Sequence, residues 1–253
     1  MSRDYVLASP VESMRLERQA DLHARDRPLQ HIRLAPGGRF LDAGCGSGWV
    51  SRKVASAYPQ ADVVGVDYTP AYVADAQVMA AADGVKNATF EVGDLMSLPF
   101  PDASFDVVWS QFVLYFVPDP QQVVREFRRV TKPSGTVISA LHKLPCVADP
   151  PFEQQRAMDE IIEAAIGRCP PETLPRLFAS AGLVDLDVKV ELDTIYSKFG
   201  GPIDPPHRRN YEEVLLFVPP ERRGAVDAWF AFLDRPETTA VSGYWVTSGR
   251  VPG

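Results

Sequence analysis

The chain has 253 residues, 45% hydrophobic and 23% charged, with a formal net charge of -7. That is enough for one large core. The acidic balance excludes general nucleic-acid binding, which needs a basic footprint. Cys45, Cys146 and Cys169 are odd in number and widely spaced, so they fit neither a metal-ligand set nor a disulfide framework, and a reducing cytoplasm is the expected home. The start, "MSRDYVLASPVESMRLERQ", is too polar for a signal peptide, and no run is long enough to span a bilayer. The short basic runs Arg128-Arg129, His207-Arg208-Arg209 and Arg222-Arg223 read as solvated surface.

Apolar runs and helical patterns alternate over the first half. "GRFLDAG" (Gly38 to Gly44) is a short strand ending in glycines, and "WVSRKVASAYP" (Trp49 to Pro59) has helical spacing and stops at a proline. "ADVVGVD" (Ala61 to Asp67) is a strand ending in a carboxylate. "PAYVADAQVMAAADG" (Pro70 to Gly84) opens on proline and closes on glycine, the order a helix prefers. "ATFEVGD" (Ala88 to Asp94) alternates, and "FDVVWSQ" (Phe105 to Gln111) suits a strand buried on both faces. "PQQVVREFRRVT" (Pro120 to Thr131) is helical and "GTVISAL" (Gly135 to Leu141) is a strand. Strand-helix alternation of this kind predicts a parallel sheet with helices on both faces. Later come predicted helices at Pro151 to Gly167, Pro171 to Gly182, Tyr211 to Phe217 and Arg222 to Asp234. Strands are predicted at Leu183 to Asp193 and Ala240 to Val251.

"FLDAGCGSGWV" (Phe40 to Val50) places Gly44, Gly46 and Gly48 between a strand and a helix. Such a turn lets backbone approach a ligand and presents helix N-terminal amides to it. The spacing is G-x-G-x-G, not the dinucleotide G-x-G-x-x-G, and no P-loop Lys-Ser/Thr pair follows. Asp42 precedes the turn and suits a ligand carrying an amine. Asp67 ends the second strand, about 20 residues beyond the turn, where a carboxylate suits a ribose diol. Asp94 ends the third, with Leu95 beside it, and suits an adenine and its amino group. Three acids at one edge of the sheet stand where doubly wound folds bind ligands.

On these segments the chain resembles the class I S-adenosylmethionine-dependent methyltransferases, of the ubiquinone/menaquinone-methyltransferase-like group. "FLDAGCGSG", "VVGVDYTP" and "VGDLMSLPF" look like the family's first, second and adenine-binding motifs. "FDVVWSQFVLYFVPDPQQVVREFRRVTKPSG" resembles its stretch from the fourth strand to the turn before the fifth. Thr131 and Ser134 depart from the leucine and glycine usual there. The resemblance implies an α/β fold: a doubly wound, seven-stranded, mostly parallel sheet in the order 3-2-1-4-5-7-6, strand 7 antiparallel, with a helical cap. It implies S-adenosyl-L-methionine as cofactor, held by Asp42, Ala43, Gly44, Gly46, Asp67, Tyr68, Asp94, Leu95, Ser110 and Gln111. "YVLASPVESMRLERQADL" resembles a segment seen before the first strand in a subset of these enzymes. There it would form a lid whose Tyr5 and Arg15 reach the methionine end of the cofactor. The implied organisation is a single domain, 1–253, with lid helices 1–34, a cofactor core 35–142 and cap insertions 143–170 and 194–237.

Methyl transfer from a sulfonium needs an aligned nucleophile, exclusion of water and, for an oxygen acceptor, removal of a proton. His142 follows the fifth strand directly, and an imidazole's ordinary pKa suits a general base near neutrality. His207 lies in a variable segment, while His23 and His31 on the N-terminal helix are expected to face water. Tyr115 and Tyr196 sit in apolar runs and read first as packing. Cap aromatics (Phe152, Tyr196, Phe199, Tyr211, Phe217, Trp229) suit a small hydrophobic or aromatic substrate. The expectation is therefore a methyltransferase acting on a small molecule, oxygen favoured, with no metal, nucleic-acid or membrane partner, as monomer or homodimer. Its rivals are a non-methylating enzyme on the same fold, such as a pericyclase or cyclase, and a cofactor-sensing partner protein.

Overall fold

The structure, a computed structural model, describes residues 16–17, 27–149, 169–201 and 220–253. In chain order these form α1 (Arg27–His31), β1 (Arg39–Ala43), α2 (Trp49–Ala57), β2 (Asp62–Asp67), α3 (Pro70–Ala82), β3 (Ala88–Val92), β4 (Phe105–Gln111), α4 (Pro120–Val130), β5 (Thr131–Asp149), α5 (Leu174–Ser180), β6 (Val184–Phe199), α6 (Arg223–Leu233) and β7 (Thr239–Arg250). The seven strands make one sheet in the order β3-β2-β1-β4-β5-β7-β6. Strands β1 to β5 pair in parallel, and β7 runs antiparallel to both β5 and β6. The expected topology and strand direction are both found.

The two faces of the sheet follow from the alternation along each strand. On one face Leu41, Ala43, Val64, Val66, Val108, Val137 and Leu141 pack against Val123, Val124, Phe127 and Val130 of α4 and Leu177 and Phe178 of α5. On the other, Phe40, Val63, Val107, Trp109, Ile138, Ala140, Tyr244 and Val246 pack against Trp49, Val50, Val54 and Ala55 of α2. Each fully buried large side chain stabilises the fold by roughly 1.5–3 kcal/mol relative to exposure. Helix ends follow local chemistry. Asp119 caps α4 by accepting from the Gln122 amide, Pro120 opens the helix, and the Thr131 hydroxyl donates to the Phe127 carbonyl at its end. Ser134, where the resembled family has glycine, adopts φ +62°. Glycine occupies that backbone region without steric cost.

Two strands run further than their sequence pattern announces. β5 continues to Asp149 and β6 to Phe199, into residues whose composition suggested cap. The antiparallel β7 supports both extensions, through Asp149↔Thr239 and Phe199↔Thr239. Pro145 and the turn-like composition around it hid the first extension. The β5–β7 register shifts between Lys143 and Val147, and such an irregularity tolerates a residue without an amide donor. The predicted helices at Pro151 to Gly167 and Tyr211 to Phe217 lie outside the described residues. Among the described residues no helix is long and apolar enough to cross a membrane. His31 does not face water: its Nε2 lies 2.9 Å from the Glu191 carboxylate of β6, and its side chain is 8% exposed. The antiparallel end of the sheet comes back beside α1, which no local pattern could announce.

Asp42 ties β1 to the helix that follows. Its Oδ2 accepts from the Ser51 hydroxyl at 2.6 Å and the Ser51 amide at 3.0 Å. Burial pushes its pKa from 3.8 up to about 7, against the lowering effect of those two bonds. The folded pKa lies above the unfolded one. The native state therefore favours the protonated acid, and that stabilisation is lost as pH rises from 3.8 towards 7. Compared with Asp42→Asn, the parent is expected to lose relative stability across this window by about 1 kcal/mol or more, and to change little above it. Melting temperatures of the two proteins across the pH range read this out, and a relative stability that rises with pH contradicts the assignment.

Candidate cofactor and acceptor site

The turn after β1 is built from left-handed glycines: Gly44, Gly46 and Gly48 have φ of +81°, +53° and +77°. A side chain at Gly44 would meet Val113 at 2.3 Å, and one at Gly48 would meet Phe90 at 2.6 Å and Ala76 at 2.9 Å. Two walls therefore demand glycine at those positions, independently of any ligand. The amides of Gly44 and Cys45 both donate to the Val66 carbonyl, at 2.7 and 2.9 Å, which seats the turn on the end of β2.

Asp67 completes this frame. Its Oδ2 accepts from the Gly46 amide at 2.9 Å and its Oδ1 from the Thr69 amide at 2.9 Å. The Thr69 side chain and the Tyr68 amide also bond this carboxylate, so the loop after β2 holds it at the strand end beside the turn. Burial raises its pKa, and the Thr69 and Gly46 amide bonds work against that rise. Asp94 is exposed at the end of β3, with Oδ1 accepting from the Met96 amide at 2.8 Å, and Leu95 is buried beside it.

Register places the remaining groups. Asp42, Gly65 and Trp109 share one row across β1, β2 and β4, so Asp67 and Gln111, two residues further on, project to the same face at the C-terminal edge. Gln111 pairs with Ala140, so His142 is one step further along that face of β5, opposite Tyr244 of β7. The Tyr244 hydroxyl donates to Gln111 Oε1 at 3.1 Å. Phe112, at φ +58°, stands among these groups, 5.4 Å from the His142 ring and 5.9 Å from that of Tyr244. A bulky residue in the left-handed region is uncommon and tends to occur where function over-determines the backbone.

Not every expected residue reaches this edge with its side chain. Asp42 is 2% exposed and is engaged with Ser51. Ala43 lies in the core beneath the turn, and Tyr68 is 66% exposed beside Asp67. Ser110 projects to the opposite face from Gln111, where its hydroxyl is fully buried with no hydrogen-bond partner among the described residues. Tyr5 and Arg15 lie outside the described residues. Their neighbours Leu16 and Glu17 do not: Leu16 Cδ1 is 3.3 Å from where a Gly46 side chain would begin. Glu17 Oε1 accepts from the Ser47 hydroxyl at 2.5 Å, and its Oε2 pairs with Arg52 at 2.7 Å. Arg52 is buried, and it also bonds Asp83 at 2.8 Å and the Ser47 carbonyl at 2.8 Å. Sequence reasoning missed Phe112, Tyr244 and the Glu17–Arg52 pair. For Phe112 and Tyr244, an apolar run and a final strand carry no local sign of proximity to the glycine turn.

The donor set fits an adenosyl group joined to an amino acid. It offers a glycine-amide turn, a carboxylate held at the end of β2 by Gly46 and Thr69, and an exposed carboxylate with a buried leucine after β3. Among the described residues no cluster of metal-ligating side chains is found.

A sequence profile described as a methyltransferase domain matches residues 41–139, the span from β1 into β5 that holds the glycine turn, Asp67, Asp94 and Gln111. The 27-O-demethylrifamycin SV methyltransferase of Amycolatopsis mediterranei is 39% identical over 49% of this chain, and the chain spans 45% of that protein's length. The malonyl-[acyl-carrier protein] O-methyltransferase of Erwinia billingiae is 32% identical over 74% of this chain and 77% of its own. Among solved structures, the [4+2]-cyclase SpnF superposes with a TM-score of 0.61 at 22% identity, over 95% of this chain and 82% of that one; at that identity the likeness speaks for the fold alone. With its sheet order, glycine turn and strand-end acids, and with sequence relatives along most of its length, the chain belongs to the class I S-adenosyl-L-methionine-dependent methyltransferase family.

Proposed function

We propose that the protein transfers a methyl group from S-adenosyl-L-methionine to an oxygen of a small hydrophobic or aromatic molecule, with His142 as general base. The observation that carries this reading is the single row at the C-terminal edge of the sheet. Asp67 and Gln111 flank the glycine turn, and His142 stands one step beyond them on the same face. Phe112, partly buried, stands beside the His142 ring with the buried Tyr244 packed behind it, and an aromatic wall of this kind suits an aromatic or apolar acceptor. The curated relatives whose names specify oxygen methylation agree with this choice of nucleophile.

The cofactor supplies an electrophilic methyl on a sulfonium, already provided with a good leaving group. What this chain's residues do is hold and orient. Asp67 takes the ribose hydroxyls, Asp94 and Leu95 the adenine, and Gln111 the floor between cofactor and acceptor. Tyr5 and Arg15 belong to the lid in this reading. Leu16 and Glu17, seated on the glycine turn and on Arg52, support that placement. The imidazole of His142 receives the acceptor's proton as its oxygen becomes nucleophilic, and the rings of Phe112 and Tyr244 keep water from that proton.

Calorimetry with S-adenosylmethionine and S-adenosylhomocysteine tests the cofactor half. Micromolar binding is expected, and Asp67→Asn is expected to weaken it at least about tenfold, or about 1.4 kcal/mol. Equal affinity in the variant removes Asp67 from the ribose. Glu17→Gln replaces one partner of a part-buried, charge-assisted pair and is expected to weaken cofactor binding by roughly threefold or more. Unchanged affinity rules out the lid. Transfer is tested with methyl-labelled cofactor and a panel of phenols, carboxylic acids and alcohols. Label in a phenol or acid is expected, whereas tight cofactor binding with no labelled product from any acceptor class favours a non-methylating enzyme or a cofactor sensor. His142→Ala is expected to lower the transfer rate to the best phenol at least about tenfold with cofactor affinity preserved.

A further inference from the structure

We infer that Tyr115 is a positioning residue for His142, acting through the backbone of β5; this rests on the reading of His142 as the base. The ladder between β4 and β5 ends at Gln111↔Ala140, with one last bond from the Phe112 amide to the Ala140 carbonyl at 2.9 Å. There Phe112 takes its left-handed conformation and the chain turns away from β5. His142, two residues further along β5, has lost its parallel neighbour. The next turn of the departing chain, closed by the Phe116 amide on the Val113 carbonyl at 2.9 Å, brings Tyr115 back into that gap.

The Tyr115 hydroxyl then does what a strand would have done. It accepts from the His142 amide at 2.7 Å and donates to the His142 carbonyl. One hydroxyl thus serves both backbone groups of a single residue, a demand that a phenol meets because it is donor and acceptor at once. The ring is buried, so the hydroxyl is held in place by packing. It serves the backbone of the histidine, while the imidazole stands beside the Phe112 ring. Tyr115 is therefore not a second base. It sets where the Cα of His142 stands, and so where the imidazole presents its nitrogen to the acceptor's proton.

The test is a cycle of Tyr115→Phe, His142→Gln and the double variant, assayed with the phenol of the panel that turns over fastest. Tyr115→Phe is expected to lower kcat about tenfold with the calorimetric affinity for S-adenosylhomocysteine unchanged, and to add little further loss in the His142→Gln background. The deficit should shrink as pH rises past the phenol's own pKa, where the acceptor no longer needs a base. A deficit that persists at high pH, or that multiplies with that of His142→Gln, overturns the inference. A His142→Gln enzyme at full rate overturns the base reading itself, and the inference with it. A readout free of turnover accompanies these: the His142 imidazole resonance in the S-adenosylhomocysteine complex, assigned by its loss in His142→Gln. It should shift or broaden in Tyr115→Phe while that of His31 stays, and a resonance unmoved by the substitution overturns the inference without any acceptor.

Discussion

The whole edge of the sheet depends on the close approach of the glycine turn to the ends of β2 and β4. The turn has Val113 against Gly44 and Phe90 and Ala76 against Gly48, at separations that leave no room for a Cβ. The turn's amides bond the Val66 carbonyl and the Asp67 carboxylate. This one set of contacts orients Asp67, starts α2, and fixes how far β4 extends before it must turn. It is a packing constraint first, and its consequence is an open row of backbone and carboxylate beside the turn.

Several polar groups are buried to hold that frame, and each is satisfied within the chain. Asp42 is engaged with the first turns of α2 through Ser51. Arg52, one residue further on, draws Glu17 and Asp83 together. An ion pair with one buried partner gives little net stability, because desolvation offsets the attraction, but it discriminates between placements of the segments that carry it. Here the segments are the stretch at Leu16–Glu17, α2 and the end of α3. The pair therefore fixes Leu16–Glu17 against the glycine turn.

The end of the edge where His142 stands is organised by the reverse event, the departure of a strand. β4 leaves at Phe112, while β5 continues between the space it vacates and the antiparallel β7. A cavity edge at that place would strand backbone donors and acceptors, at a cost comparable to a lost hydrogen bond each. The Tyr115 hydroxyl answers this for His142, and the Tyr244–Gln111 bond links the end of β4 to the antiparallel strand. The polar edge and the aromatic wall therefore come from the same strand ends.

The sequence by itself determined the periodic elements and the topology expected of the family it resembles, and it marked the local features of the candidate site. Gly44, Gly46, Asp67 and Asp94 were legible because a turn that needs left-handed backbone, and acids that end parallel strands, leave their marks within a few neighbouring residues. Adjacency could not show which way Ser110 points: it neighbours Gln111 in the chain, but its side chain lies on the other face, because side chains alternate. Only the tertiary structure decided the rest. It brought His31 to Glu191, Glu17 to Arg52, Tyr115 to His142 and Tyr244 to Gln111, across 160, 35, 27 and 133 positions of sequence. No local pattern specifies which distant hydroxyl fills the place of a missing strand. That is settled when the sheet closes, where buried backbone groups take the partners that packing puts within reach.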